Sequence, residues 1–409
     1  MRLFLFFLFL VCSIIVSFAD EWNRFRGHNG NGYSETSLPL SLNSENFAWQ
    51  VKLPGVGHAS PVLWKNKVFT TCAASNDATQ FVLAYEARSG KKLWQKKFPS
   101  SLSPIHKFNS YASATPAVDQ DFIYVSWTTK KSNDLLCLDH KGNLVWRRNF
   151  GNYLTQHGNG FSPIAHQQLV FVTHDHEGAS ALYALNRENG KTVWQVNRNG
   201  AKPSASTPVI YNAPSGKSYV VSTSQSHGCY AVEITSGKIA WETGPDTLDK
   251  RSVSSPYWGG GFFFASCGSG GRGSRFLIIQ PPRNDNEKVH IKHSITRNAP
   301  YVPTSLVVDD FVFALSDSGI ASAIDLMSGE VLWKERLAGN FFASPILSRK
   351  TIFVPSRDGK IFALEVNRKK LKVLEVSTIG DIIHNTPALS EAGIFLRTFS
   401  QLIHIQAKT

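Results

Sequence analysis

Short runs of alternating apolar and polar residues recur along the chain, and each run ends at a polar turn. In the most regular pattern a glycine stands four residues before a tryptophan, at Gly90/Trp94, Gly142/Trp146, Gly190/Trp194, Gly237/Trp241 and Gly329/Trp333. With 30 glycines and 10 tryptophans in 409 residues, chance would give about 0.7 such pairs. Because glycine adopts the left-handed conformation that closes a tight turn, the pattern predicts β-hairpins whose second strand carries the tryptophan.

A Ser-Pro or Thr-Pro dipeptide opens a second repeated element, in which two apolar runs flank a polar turn. The prolines are Pro61, Pro116, Pro163, Pro208, Pro256, Pro345 and Pro387. Leu306, after Thr304 and Ser305, takes the same place. The resulting units are roughly 47 residues long, which is the period of a four-stranded propeller blade.

The tryptophan ladder begins at Trp49 and has two gaps. One outer strand lacks its tryptophan near Ile291, and Val373 takes that place in the outer strand at 371–376. The last unit, 386–406, has inner strands but no outer strand, whereas 47–51 is an outer strand with no unit before it. We therefore expect strand 47–51 to pair antiparallel with 402–406 and to close a ring.

These patterns predict an all-β fold. We expect an eight-bladed β-propeller of four-stranded antiparallel blades, closed by its N-terminal strand and formed by residues 20–409 as a single domain. Long helices rich in Ala, Glu, Lys and Leu are absent from the sequence, which excludes bundles and coiled coils.

The first 19 residues have the features of a secretory signal peptide. Arg2 precedes an apolar run from Leu3 to Val16, and small residues at Ser17 and Ala19 suit cleavage. Retention of the segment as an N-terminal anchor is the alternative, because the run is at the short limit for a membrane span. No later segment is apolar enough to cross a membrane. From the signal peptide we expect a periplasmic, secreted or cell-surface protein.

The composition is that of a globular protein, with 42% hydrophobic and 18% charged residues. The net charge of +13 permits acidic partners, but the basic residues are scattered and form no aromatic-basic stripe, which disfavours nucleic acid. Past the signal, Cys72, Cys137, Cys229 and Cys267 form no Cys-x-x-Cys pair. We expect them to be buried thiols.

The repeat Ala/Leu-x-Asp/Glu-x-x-x-Gly-Lys-x-x-Trp resembles the pyrroloquinoline-quinone (PQQ)-like β-propeller family over about residues 20–406. The chain is similar in particular to secreted repeat proteins of Planctomycetes, which often begin with a motif like that at 22–30. The resemblance implies an eight-bladed ring locked by docked tryptophans. The family includes PQQ-dependent alcohol dehydrogenases and a periplasmic lipoprotein of the outer-membrane barrel-assembly machinery, so the fold does not fix the function.

Three further patterns bear on chemistry, and we interpret none of them as a catalytic or metal site. The quinoprotein dehydrogenases that this chain resembles carry an adjacent Cys-Cys pair and a Glu/Asn/Asp set for calcium, and neither can be placed here. The run from Gly268 to Gly273 satisfies Gly-x-Gly-x-x-Gly, but a strand follows it where a dinucleotide site needs a helix. His174 and His176 could share one face of a strand, yet no further ligand is evident.

A distributed set of residues is the strongest candidate site. In a propeller, the loops that enter the innermost strands meet at one mouth of the central channel, and here they are rich in histidine and basic residues. We predict a cationic axial pocket for an anionic ligand, formed by His58, His157, Lys202, Arg251, Arg297, Tyr301 and His384. His106 and Lys107 lie on the same loops, with Asp246, Asp249 and Asp381 as the acidic residues.

From these observations we predict a non-catalytic binding or scaffolding protein of the periplasm or cell surface. We expect a monomer whose partner is an envelope protein or an anionic ligand or glycan, and we assign no cofactor. The alternative is a redox enzyme, a dehydrogenase that holds PQQ with calcium, or a related cofactor, in the axial pocket.

Overall fold

The computed structural model describes residues 22–129, 131–199 and 202–408. Within them the chain forms 33 β-strands and two single-turn 3₁₀ segments, His28–Gly30 and Ser44–Asn46. The expected signal peptide, residues 1–19, lies outside the described residues. None of the helical segments in the described ranges is long and apolar enough to cross a membrane.

Two strands precede the first blade, and four strands form each of blades 1 to 4. The N-terminal strands are β1 (Tyr33–Ser34) and β2 (Phe47–Lys52). Blade 1 contains β3 (Val62–Trp64), β4 (Lys67–Ala73), β5 (Gln80–Glu86) and β6 (Lys92–Phe98). Blade 2 contains β7 (Ala117–Val118), β8 (Phe122–Thr129), β9 (Ser132–Asp139) and β10 (Leu144–Asn149). Blade 3 contains β11 (Ile164–His166), β12 (Leu169–His174), β13 (Ser180–Asn186) and β14 (Thr192–Arg198). Blade 4 contains β15 (Val209–Asn212), β16 (Ser218–Ser224), β17 (Gly228–Glu233) and β18 (Ile239–Glu242).

Blades 5 to 7 repeat this arrangement, and blade 8 is shorter by one strand. Blade 5 contains β19 (Tyr257–Gly259), β20 (Phe262–Ser269), β21 (Arg272–Gln280) and β22 (His290–Ile295). Blade 6 contains β23 (Leu306–Val308), β24 (Phe311–Leu315), β25 (Ile320–Asp325) and β26 (Val331–Arg336). Blade 7 contains β27 (Ile346–Ser348), β28 (Thr351–Pro355), β29 (Lys360–Val366) and β30 (Leu371–Thr378). Blade 8 contains β31 (Ala388–Ser390), β32 (Gly393–Arg397) and β33 (Gln401–Gln406).

The N-terminal strand supplies the missing outer strand of blade 8. β2 pairs antiparallel with β33, from Phe47 opposite Ile405 to Lys52 opposite Gln401. In blades 1 to 7 the four blade strands are ordered consecutively, blade 8 has the order β2-β33-β32-β31, and the four strands of each blade pair antiparallel. The predicted eight-bladed propeller and its closure by the N-terminal strand are therefore confirmed, and closure covers edges that an open array would expose.

The tryptophans of the outer strands join each blade to the next. Trp94 of β6 packs over the turn at Gly142 in blade 2, and its Nε1–H donates a hydrogen bond of 2.9 Å to the carbonyl oxygen of His140. The same contact joins Trp49, Trp146 and Trp194 to the turns at Gly90, Gly190 and Gly237. The Gly-to-Trp spacing thus reflects contacts between successive blades, because a Cβ on these glycines would collide with the indole.

The two gaps in the ladder fall two residues later than the sequence pattern predicts. In blade 5, His293 and not Ile291 faces the turn at Gly329, and its Nε2 bonds to the carbonyl oxygen of Met327 at 3.0 Å. In other blades the tryptophan pairs with an alanine of the third strand, as Trp94 does with Ala84. The equivalent alanine of blade 7 is Ala363, and it pairs with Glu375 and not with Val373. Both hairpins are longer than in the other blades, so counting from the start of the strand gives the wrong residue.

A belt of hydroxyl groups links the innermost strands around the channel. At seven of the eight seams the Ser or Thr at the start of an innermost strand accepts a hydrogen bond from the backbone amide of its counterpart in the preceding blade. Within the described residues the belt runs through Ser60, Thr115, Ser162, Thr207, Ser255, Thr304, Ser344 and Thr386, with bonds of 2.9–3.1 Å at seven seams. In blade 6 the hydroxyl of the belt comes from Thr304. The residue equivalent to the prolines of the other blades is therefore Ser305, and the predicted equivalence of Leu306 is wrong by one residue.

Residues 22–36 cross the channel at the face opposite the inter-blade loops. Arg26 is fully buried and donates hydrogen bonds of 3.0–3.1 Å to the carbonyl oxygens of Thr304, Ser305 and Pro345 in blades 6 and 7. Arg24 donates to Pro208 of blade 4. β1 then adds a parallel strand to β27. The N-terminal motif therefore ties distant blades together from inside the ring.

Candidate functional site

A cavity of about 630 Å³ lies on the propeller axis, where the loops that enter the innermost strands meet. The hydroxyl belt forms part of its wall, and Phe25 of the segment that crosses the channel also lines it. Because the cavity lies where all the blades converge, residues far apart in sequence reach one small volume. A pocket of this size and position can hold a small molecule.

The structure brings five of the seven predicted pocket residues to this cavity. His58, His157, Arg251, Tyr301 and His384 line it, together with His106 and Lys107. Lys202 and Arg297 are not among the lining residues. The Lys202 amine lies 3.4 Å from the carbonyl oxygen of Asp249, and Arg297 is exposed in a turn beside Asn298, whose φ is 57°.

Sequence reasoning missed one cation of the lining, Arg357. Its guanidinium carbon lies 3.8 Å from the ring centre of Phe108 and 4.5 Å from that of Phe342. Arg357 stands in the turn between β28 and β29, and such turns reach the same face as the inter-blade loops. The polar turn 356–359 is the feature of the sequence that marks this residue, whereas the predicted pocket includes only loops that enter the innermost strands.

Two stacked histidine pairs form part of the wall. The rings of His58 and His384 have centroids 4.2 Å apart, and those of His106 and His157 are 5.4 Å apart. Burial lowers the pKa of His58 to about 2, helped by the positive charges of His384, Arg397 and Arg357. Burial, with Arg357, also lowers the pKa of His384 to about 4. The first pair is therefore neutral at physiological pH.

Asp317 is the one carboxylate among the residues that line the cavity. Its Oδ2 accepts a hydrogen bond of 2.9 Å from the amide of Tyr301, while Oδ1 has no partner within the described residues. Burial raises the pKa of Asp317 to about 6, against the opposing effects of backbone amides and Arg357. Lys107, Arg251 and Arg357 outnumber this carboxylate, so the lining has a positive electrostatic balance.

The lining residues do not fit calcium with PQQ. Calcium takes six to eight oxygen ligands, whereas the single lining carboxylate, Asp317, lies close to Arg357. The four described cysteines are free, buried and not among the lining residues. In the described ranges no cluster of three or more His, Cys, Asp or Glu could hold a metal ion. We therefore derive no chemical step through that cofactor.

The two other patterns have structural roles. Gly270 and Gly271 form the two-residue turn between β20 and β21, with φ of 60° and 72°, so the glycine run is a hairpin as the sequence indicated. His174 Nδ1 lies 2.7 Å from Asn133 Nδ2, and His176 Nε2 lies 3.0 Å from the carbonyl oxygen of Ala179. Both imidazoles are therefore engaged in hydrogen bonds at the end of β12.

Comparison with known proteins agrees with the repeat and the fold. A family model described as "Outer membrane protein assembly factor BamB" matches residues 78–300 and 300–372. This chain belongs to that family of PQQ-like repeat propellers.

Individual BamB relatives are distant. The BamB of Yersinia pestis is 30% identical over 193 residues, which are 46% of this chain and 46% of that protein. The BamB of Bordetella pertussis is 21% identical over 357 residues, covering 84% and 81% of the two chains. The chain thus spans about half the length of the Yersinia relative that it matches.

Solved structures of BamB and of quinoproteins share the fold. BamB from Moraxella catarrhalis aligns with a TM-score of 0.60 at 12% identity, over 87% of this chain and 96% of that one. Quinohemoprotein alcohol dehydrogenase from Comamonas testosteroni aligns with a TM-score of 0.65 at 11% identity, over 95% and 81%. At these identities the likeness shows the fold alone.

Proposed function

We propose that this BamB-family chain is a non-catalytic binding propeller of the cell envelope that takes part in the assembly of outer membrane proteins. The observation that carries the proposal is the family match over residues 78–372. The lining of the axial cavity also supports the proposal, because this lining lacks the set of oxygen ligands that a calcium-dependent quinoprotein needs. The partner is an envelope protein, and the protein works in the periplasm or at the cell surface.

Deletion of the gene in the source organism tests this role. We expect the deletion to lower the amount of folded outer membrane proteins, measured by heat-modifiable mobility in gels, and a plasmid copy to restore it. Unchanged levels of folded outer membrane proteins would contradict the proposal. The redox alternative is tested on the purified chain: dye-linked oxidation of alcohols or sugars with PQQ and calcium would replace the binding role with a catalytic one.

A second proposal concerns the cavity itself, which we propose binds a small anionic ligand. Lys107, Arg251 and Arg357 converge there against Asp317 alone, and a site bounded by protein strengthens their attraction for an anion. Arg251 is already 3.8 Å from Glu177, which leaves Lys107 and Arg357 as the cations available to a ligand. Thermal shift with sulfate, and its loss in Arg357→Gln, tests this site.

A further inference from the structure

Several buried polar atoms of the axial cavity have no hydrogen-bond partner among the described residues. The acceptors are Oδ1 of Asp317 and Oδ1 of Asn385, on residues that are only 5% and 4% exposed. The donors are Nε of Arg251 and Nε of Arg357, and the Nδ1 atoms of His58 and His157, which donate or accept according to the tautomer, are also unpaired. All six residues line the cavity. Because buried polar groups are nearly always hydrogen-bonded in native proteins, this set points to a ligand that both accepts and donates.

The protein's own contacts fix where these atoms stand. The Asn385 amide donates to the carbonyl oxygen of Arg397 at 2.6 Å, so its oxygen is left for another partner. Asp317 is held through Oδ2 by the amide of Tyr301. The Arg357 guanidinium packs against the rings of both Phe108 and Phe342, which also contact each other. The orphan atoms therefore belong to restrained side chains, which lowers the entropy cost of binding.

The mixture of groups selects among anions. Sulfate and a planar aromatic polycarboxylate have no hydroxyl hydrogens to donate, so their negative charges would face the Asp317 carboxylate. A carboxylate on a polyhydroxylated ring meets both needs. Its charge can form the paired hydrogen bonds that arginine favours, and its hydroxyls can donate to Asp317 and Asn385. Phe108 and Phe342 supply apolar surface for the ring.

We propose that the axial cavity binds a sugar acid, a pyranose that carries a carboxylate, such as the uronic acid unit of an acidic glycan. This inference rests on the proposal that the cavity binds an anion, and it names the chemical class. The carboxylate lies at Arg357 and the hydroxyls face Asp317 and Asn385. A volume of about 630 Å³ accommodates one or two such units.

Titration calorimetry with galacturonate and its dimer tests this class of ligand. Glucose, which has hydroxyls but no carboxylate, and sulfate, which has negative charge but no hydroxyl hydrogens, are the comparison probes. We expect the sugar acid to bind at least tenfold more tightly than either probe. Sulfate binding as tight as galacturonate would overturn the sugar-acid inference while leaving an anion site. Absence of binding by galacturonate, its dimer and sulfate would overturn the inference and the anion site together.

Two variants test which part of the ligand contacts Asp317 and which part contacts Arg357. Asp317→Asn keeps one oxygen for the Tyr301 amide and turns the free acceptor into a donor. It should weaken galacturonate at least fivefold and leave sulfate equal or tighter. Arg357→Gln should weaken both anions, whereas the exposed Arg297→Gln, a matched loss of charge outside the cavity, should weaken neither. Equal loss of both ligands in Asp317→Asn, with thermal unfolding unchanged, would contradict a hydroxyl contact at this carboxylate.

Discussion

The guanidinium carbon of Arg357 lies 3.8 Å from the ring centre of Phe108. Arg357 belongs to blade 7, and Phe108 belongs to the long loop between blades 1 and 2, so the contact crosses the mouth of the channel. His384 reinforces it, with Nδ1 lying 3.3 Å from the carbonyl oxygen of Phe108. The loop is therefore held over the cavity by a cation–π contact and a hydrogen bond.

This contact should appear as an energetic coupling. Phe108→Leu and Arg357→Met should each lower the free energy of unfolding, and the double variant should lose about 0.5–1 kcal/mol less than the sum, because either change removes the same cation–π attraction. Denaturant unfolding of the four proteins measures the coupling. Leu102→Ala, on the same loop but 57% exposed, should stay near the wild-type value. Strict additivity would show that the two side chains do not interact in solution.

Gly142 should be irreplaceable because of its neighbour as well as its backbone. Its φ is 81°, and a Cβ there would stand 2.9 Å from the Trp94 ring. We expect Gly142→Ala to cost about 1 kcal/mol for the positive φ and a further about 1–2 kcal/mol for displacing the indole. Gly216→Ala is the matched control, since its φ is 82° and nothing lies within 4 Å of the added Cβ. Equal destabilisation of both variants would argue against docking of Trp94.

The hydroxyl belt should contribute at each seam. Thr115 accepts a 3.0 Å hydrogen bond from the amide of Ser60 in a buried position. Thr115→Val keeps the shape but leaves that amide unpaired, so we expect a loss of about 1–3 kcal/mol in unfolding free energy. Thr192→Val, at an exposed position of β14, should change stability by less than about 0.5 kcal/mol. A Thr115→Val variant as stable as this control would show that the belt bond adds nothing.

The sequence predicted the architecture well because the relevant signals are local and repeated. The glycine-tryptophan turns recur in five blades and the Ser/Thr-Pro elements in seven, so the strand order and the pairing of β2 with β33 followed from counting. The positions of His293 and Glu375 could not be predicted in this way. Their two hairpins are longer than the corresponding hairpins of the other blades, and periodicity carries no information on such insertions.

The candidate site was only partly predictable, because it depends on contacts between residues far apart in the chain. His58 and His384 are on loops that the propeller topology brings to one mouth, and the structure places both at the cavity. Arg357 and Phe108 meet only because two loops of particular lengths extend over the axis. The partners of Arg26 in blades 6 and 7 lie 278–319 residues away, and no local pattern in the N-terminal motif indicates that it crosses the channel.

Burial of neutral His58 should make the protein less stable as the pH falls. Its pKa is about 2 in the folded protein, below the usual 6.5, so between these values the unfolded chain binds a proton that the folded chain does not. Stability is then lost as the pH falls below 6.5. His384 acts in the same direction, and Asp317, with its pKa raised to about 6, acts in the opposite one.

Removing the imidazole should flatten this dependence. We expect His58→Phe, which keeps an aromatic ring beside His384, to reduce the loss of stability between pH 7 and pH 5.5 by about 1 kcal/mol. Denaturant unfolding at both pH values measures the difference. His28→Phe, at an exposed position, is the control. The same slope in the wild type and in His58→Phe would mean that His58 has the same pKa in the folded and the unfolded chain.

The N-terminal segment should be a structural part of the ring and not an accessory to it. Arg26 donates to carbonyl oxygens of blades 6 and 7 while fully buried. Arg26→Met removes these donors and leaves several buried carbonyls unpaired, each at a cost of about 1–3 kcal/mol. We expect a loss of at least about 3 kcal/mol, whereas Arg272→Met, at the exposed start of β21, should be nearly neutral. Arg26→Lys, which can still donate, should lie between the two.

Limited proteolysis separates loss of the crossing segment from general unfolding. If Arg26 holds residues 22–36 in the channel, Arg26→Met should be cleaved first within that segment, under conditions where the blades and the wild-type segment resist. Arg26→Lys should show slower cleavage at the same sites. Stability and cleavage like those of Arg272→Met would contradict the role of Arg26, because a segment that spans blades 4, 6 and 7 through buried arginines cannot lose its central donor without loosening.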